Sequence, residues 1–97
     1  MKMVVAVFPR ERETEVRDLI SRHGIHAYTE VGTVTGEGIT GKKLGNVTWP
    51  EKSTLVFAVV GDEEKSKFIS AIKECQERCY PTEGVWACVL NVEEMVS

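Results

Sequence analysis

Two unbroken apolar runs constrain this chain most: Met3-Val4-Val5-Ala6-Val7-Phe8 and Leu55-Val56-Phe57-Ala58-Val59-Val60. Both are rich in Val, and neither alternates with polar residues. A strand with one wet face alternates. A continuous apolar strand is buried on both faces and belongs in the middle of a sheet. A signal-peptide core needs roughly 7–15 apolar residues and a membrane span about 20. The runs are too short for either, which points to a cytoplasmic chain without membrane insertion.

Each run precedes a helical stretch. Between Glu11 and His23, the positions Val16, Leu19, Ile20 and His23 follow the i, i+3, i+4, i+7 stripe of a helix. Gly24 is the expected left-handed C-cap. From Glu63 to Arg78 the buried stripe is Phe68, Ile69, Ile72, Cys75 and Cys79. Asp62 is its expected N-cap, and Glu63 and Glu64 suit the positive helix start. Pro81 stops continuation. Two weaker strands, Ile25–Thr35 and Val85–Val92, are more polar or flanked by turn residues and read as edge strands.

The order β-α-β-β-α-β describes an α+β, ferredoxin-like sandwich: a four-stranded antiparallel sheet with two helices on one face. Right-handed crossovers place strands one and three centrally, where the two apolar runs require them. At 97 residues the chain reads as a single domain, 1–97.

Such a sheet leaves one face open. Strand one offers Val4, Ala6 and Phe8 to one side and Met3, Val5 and Val7 to the other. Strand three offers Leu55, Phe57 and Val59 against Val56, Ala58 and Val60. Two helices cover only one set. Burying each side chain is worth roughly 1.5–3 kcal/mol, so a set is worth on the order of 10 kcal/mol, comparable to a whole domain's stability. An exposed patch of that size marks an interface. The expectation is a homo-oligomer closed over the open face. The competing arrangement is a monomer whose long loop or C-terminal tail covers it.

Charge narrows the partners. Twelve Lys and Arg against fifteen Asp and Glu give a net charge of -3. That balance argues against a sequence-blind nucleic-acid binder and against docking on anionic membrane. No nucleophile–base pair or paired-carboxylate signature stands out, so the chain reads as a non-enzyme. After strand one, Phe8-Pro9-Arg10-Glu11 replaces the glycine-rich loop of the small acylphosphatases, which share this topology.

The long connection 36–52 carries the functional question. It holds Gly36, Gly38, Gly41 and Gly45, with Lys42 and Lys43 among them. Long structureless loops in small domains are uncommon and often functional. Glycines let successive backbone N–H groups form an anion-binding nest. Gly36, Gly38, Gly41, Lys42 and Lys43 are therefore candidate ligand-binding residues for a small anion. A plain solvated hairpin loop is the simpler alternative. Gly36-x4-Gly41-Lys42 fits part of the P-loop pattern, but Lys43 replaces the Ser or Thr and no helix follows, so an NTPase site is rejected.

Cys75, Cys79 and Cys88 cannot all pair internally, and they read as packing residues. Cys75 and Cys79, four apart on a helix, offer two thiolates to one metal. A closed structural zinc site wants four ligands, so no metal site is assigned.

Across nearly its whole length the chain resembles the P-II-like (nitrogen regulatory protein) superfamily. The opening Met1-Lys2-Met3-Val4-Val5-Ala6-Val7-Phe8-Pro9 is similar to the family's first strand, and Glu15-Val16-Arg17-Asp18-Leu19 to its first helix. His23-Gly24-Ile25 with Thr29-Glu30-Val31, Gly36-x-Gly38 at the base of the long T-loop, and Cys88–Glu93 in the last strand continue the match. Ile39 after Gly38, and Pro81–Trp86 in place of Gly-Asp-Gly-Lys, mark a divergent member. The resemblance implies a homotrimer with sheets facing inward and ligand sites in the clefts between subunits. The implied ligand is an adenine nucleotide; no cofactor is otherwise called for. Thr82, Glu83 and Gly84 join the ligand-binding candidates as the second loop, and loop 36–52 would touch a target protein. Two other readings share the topology: a CutA-like metal-binding trimer, and an ACT-like amino-acid-binding module favoured by the Gly24-Ile25 turn.

Overall fold

A computed structural model describes residues 1–36, 52–79 and 84–97. Strand β1 (Lys2–Pro9) leads through a 3-10 turn (Arg10–Arg12) into helix α1 (Glu13–Arg22). Strands β2 (Thr29–Thr35) and β3 (Lys52–Val60) follow, then helix α2 (Asp62–Arg78) and strand β4 (Trp86–Asn91). The sheet order is β2-β3-β1-β4, antiparallel throughout. The two apolar runs thus form the two central strands, as their lack of alternation requires.

The pleat sorts their side chains as expected. Val4, Ala6 and Phe8 of β1 and Val56 and Ala58 of β3 face the helices and are buried. They meet Val16, Leu19 and Ile20 of α1, and Phe68, Ala71, Ile72 and Cys75 of α2, in one core. Thr54 continues the helix-facing row, fully buried, and its hydroxyl donates to Glu13 Oε2 at 2.9 Å. A buried hydroxyl without that acceptor would cost about 1–3 kcal/mol.

The opposite face stays open. Val7 pairs with Leu55, Val5 with Phe57 and Met3 with Val59, and all six are only half-buried. The edge strands extend the same face: Trp86, Cys88 and Leu90 of β4 lie opposite Val7, Val5 and Met3. Val31 of β2 lies opposite Leu55. Val31, Trp86 and Leu90 are 42%, 46% and 48% exposed, so neither the C-terminal residues nor anything else described covers the face. Cys88, expected to be packed, is exposed here for the same reason.

Element ends differ from the sequence reading where local hydrogen bonding overrides pattern. Ile25, the first residue of the second strand by pattern, instead closes α1. Gly24 takes φ +86°, its amide donates to Ser21 O, and the Ile25 amide donates to Ile20 O at 3.1 Å. This is a Schellman cap, and it sends Ile25 into the core. Asp62 lies inside the first turn of α2, with Gly61 as N-cap. There, with Glu63 and Glu64, it still faces the positive end of the helix dipole. Cys79 has left the helix; its ψ of 155° is extended. In β2 the pairing slips between Val31 and Val34, and Thr33 sits there at φ 56°. A β-branched residue in that region is strained, and the bulge re-aims the strand just before Gly36.

Arg17 ties α1 to the β2 edge. It forks onto Glu30 (Nε–Oε1 3.0 Å, Nη2–Oε2 2.5 Å) and also pairs with Glu13. The hydrogen bond from Arg17, partly offset by desolvation, holds the Glu30 carboxyl below its ordinary value of 4.5. A carboxyl lowered in the folded state stabilises above its unfolded value, and that contribution is lost as pH falls through the folded value. In urea titrations wild type should therefore exceed Glu30→Gln at neutral pH and converge on it as pH falls through the lowered folded-state value of Glu30. Added salt should shrink the gap, since the pair is partly exposed. A gap that persists in acid contradicts the assignment.

Candidate functional site

The register fixes which strand ends share an end of the sheet. Pro9 pairs with Ser53, Thr35 with Lys52, and Val7 with Trp86. The exits of β1 and β2, the start of β3 and the entry to β4 therefore all lie at one end of the sheet. The antiparallel course of α1 and α2 brings the start of α1 and the finish of α2 to that end as well. Gly36 at the exit of β2 and Gly84 before β4 thus open toward the same end of the sheet, on opposite edge strands with β3 and β1 between them.

Of the candidate ligand-binding residues, Gly36 and Gly84 are described. Gly36 follows β2, exposed, with nothing near the position a Cβ would take. Gly84 takes φ +69°, a conformation that a side chain would strain. The next residue, Val85, accepts a hydrogen bond at 2.8 Å from Gln76 Nε2, which anchors the entry to β4 on α2. Gly38, Gly41, Lys42, Lys43, Thr82 and Glu83 lie outside the described residues. Arg10 after β1 and Lys52 at the head of β3 add two exposed cations at this end. Lys52 carries no signal of its own in the sequence; only the strand register places it beside the exit of β2.

His23, read as a helix-end residue, is the C-cap of α1. Its Nε2 lies 3.1 Å from Glu74 Oε1, which joins the two helices. That hydrogen bond chiefly holds the Glu74 carboxyl below its ordinary range.

Two cysteines and a carboxylate converge nearby. Cys75 is fully buried, Cys79 half-buried, and their sulfurs are 3.7 Å apart. Glu15 of α1 completes a cluster whose ligand atoms all lie within 4.8 Å of one another. Burial, with the Cys79 hydrogen bond second, pushes the Cys75 thiol up to about 12. The reading of Cys75 as a packing residue holds, but Glu15 was invisible from spacing, because it sits on the other helix.

A separate shallow groove of about 380 Å³ runs between α2 and β4, lined by Lys2, Lys65, Ser66, Ile69, Ser70, Lys73 and Val89. None of the candidate residues lines it. Among the described residues no helix is long and apolar enough to cross a membrane.

Comparison with known proteins gives one coherent result. The sequence profile of the family described as nitrogen regulatory protein P-II matches residues 1–96. Among solved structures, CPII from Thiomonas intermedia K12, bound to ADP, AMP and acetate, is similar at a TM-score of 0.65 and 19% identity. That match covers 91% of this chain and 81% of CPII. CPII bound to ADP, AMP and bicarbonate gives 0.62 and 18%, covering 98% and 94%. A Thermus thermophilus protein described as PII-like and signalling gives 0.62 and 24%, covering 94% and 85%. No curated protein sequence matches significantly.

Proposed function

The chain belongs to the nitrogen regulatory protein P-II family, and we propose from that premise that it is a non-enzymatic, cytoplasmic small-ligand sensor. In this reading one domain, 1–97, forms a homotrimer. It takes an anionic ligand, foremost an adenine nucleotide, in the clefts between subunits and signals to a target protein through loop 36–52.

The opening of β2 at Gly36 and of the Gly84 segment toward the same end of the sheet supports the reading. In this reading a ligand bound at that end contacts both, and ordering of a loop by a bound anion is an established way to build a switch. Arg10 and Lys52 supply positive charge at the same end. Similarity to CPII, whose structures hold ADP with AMP, acetate or bicarbonate, favours the ligand class. The uncovered apolar face supports association, which the clefts require.

The test is a thermal-shift and hydrogen-exchange panel of ADP, AMP and bicarbonate. A ligand at a hundred times its Kd stabilises by about 2.7 kcal/mol, a readily measured rise in Tm. Replacing Lys42 and Lys43 together by alanine should weaken that response. A panel in which no ligand moves Tm or protects residues near 36 and 84 overturns the proposal.

A further inference from the structure

The geometry points to a second, independent site: Cys75, Cys79 and Glu15 form a three-ligand centre for a thiophilic divalent cation, Zn²⁺ in kind, between the first turn of α1 and the end of α2.

The distances fit. A tetrahedral zinc with Zn–S near 2.3 Å holds its two sulfurs about 3.8 Å apart. Cys75 Sγ and Cys79 Sγ are already 3.7 Å apart, so the ion takes the place of the S–H···S contact with little movement of either thiol. A zinc-bound sulfur and carboxylate oxygen lie about 3.6 Å apart, so Glu15 needs to close by no more than about 1.2 Å from the 4.8 Å limit of the cluster. Glu15 is half-buried and long enough to do so.

Helix geometry explains the pairing. Residues four apart lie on one face of a helix, and the departure of Cys79 into extended backbone leaves its side chain beside the last turn. The charges also balance. Binding releases two thiol protons to solvent and leaves two thiolates, one carboxylate and a dication, a net charge of −1. Arg12 Nη1 lies 3.0 Å from Glu15 Oε1 and offsets that charge. A guanidinium in this position also orients the ligating carboxylate, as outer-shell partners of metal ligands do. Two thiolates select against Mg²⁺ and Ca²⁺, which prefer oxygen ligands. Water from the half-exposed side of Cys79 completes the fourth position, as in zinc sites with three protein ligands.

The probe is Co²⁺ added to the full-length protein under a thiol-free reductant. Wild type should bind one equivalent per chain with thiolate-to-cobalt charge-transfer absorption and tetrahedral d–d bands. Zn²⁺ should displace it and Mg²⁺ should not. Cys79→Ser should lose about half the charge-transfer intensity, and both it and Glu15→Gln should weaken binding by more than about tenfold. These two positions are half-buried, so the test does not depend on replacing Cys75 in the core. Absence of the charge-transfer band, its full survival in Cys79→Ser, or its loss in Cys88→Ser instead overturns the site.

Discussion

Replacing Phe57 by aspartate is expected to turn an assembly of several copies into 10.8 kDa monomers. Phe57 stands in the middle of the open sheet face, with Val5 on one side and Thr29 on the other. Around it lie Met3, Val7, Leu55 and Val59, all half-buried, and the exposed Trp86, Leu90 and Val31. Because the six central residues are already half covered by their neighbours, the gain left for association is on the order of 5–10 kcal/mol per copy. That gain must exceed the several kcal/mol of freedom lost when chains associate. A carboxylate at the centre of a dry interface tips the balance, since an unpaired buried charge costs several kcal/mol or shifts its pKa to stay neutral. The helix-facing core is untouched, so the monomer should keep its circular dichroism. Sedimentation or native mass spectrometry reads the result. If wild type itself sediments as a single chain, the face has another role and the clefts between copies do not exist. If wild type is a trimer and Phe57→Asp remains one, the face is not the contact. The same variant should lose the thermal response to ADP or AMP, which separates failure of the ligand reading from failure of the assembly.

The fold was legible because its strongest signals are collective. Six consecutive apolar residues cannot be satisfied at a sheet edge, so Met3–Phe8 and Leu55–Val60 had to be central whatever their neighbours. The helical stripes through Val16, Leu19 and Ile20 and through Phe68, Ile72 and Cys75 were equally periodic, and every one of these residues is buried. Element ends were harder to read, because single hydrogen bonds decide them. Ile25 looks like a strand residue by composition, yet its amide belongs to the Schellman cap of α1. Thr33, β-branched and thus apt for a strand, instead adopts the left-handed region at a bulge. Of the proposed site, sequence named two loops but not the end of the sheet they share, which depends on the pairing of Thr35 with Lys52 and Val7 with Trp86. Glu15 shows the same limit. No spacing rule links it to Cys75 and Cys79; only the packing of α1 against α2 does.

Phe68→Ala should produce one of the largest losses of stability among the described residues, and its contrast with Phe57 separates the two faces of the sheet. Phe68 is fully buried where α2 crosses the sheet. Truncating a buried Phe costs about 3–5 kcal/mol, part lost transfer free energy and part the cavity left behind. Against a total of roughly 5–15 kcal/mol for a domain, that fraction is enough to leave the variant largely unfolded near physiological temperature. Urea unfolding followed at several protein concentrations reads it. The Phe68→Ala loss is internal to the subunit, so it should appear at every concentration. Phe68→Leu, which keeps much of the volume, should restore a large part of it. Phe57→Ala removes the same atoms from the open face, and its penalty should grow with protein concentration, because the contact it weakens forms only between copies. A Phe68→Ala penalty below about 1 kcal/mol, or one that follows concentration as Phe57→Ala does, would mean that α2 does not seal the helix-covered face in the way its burial implies.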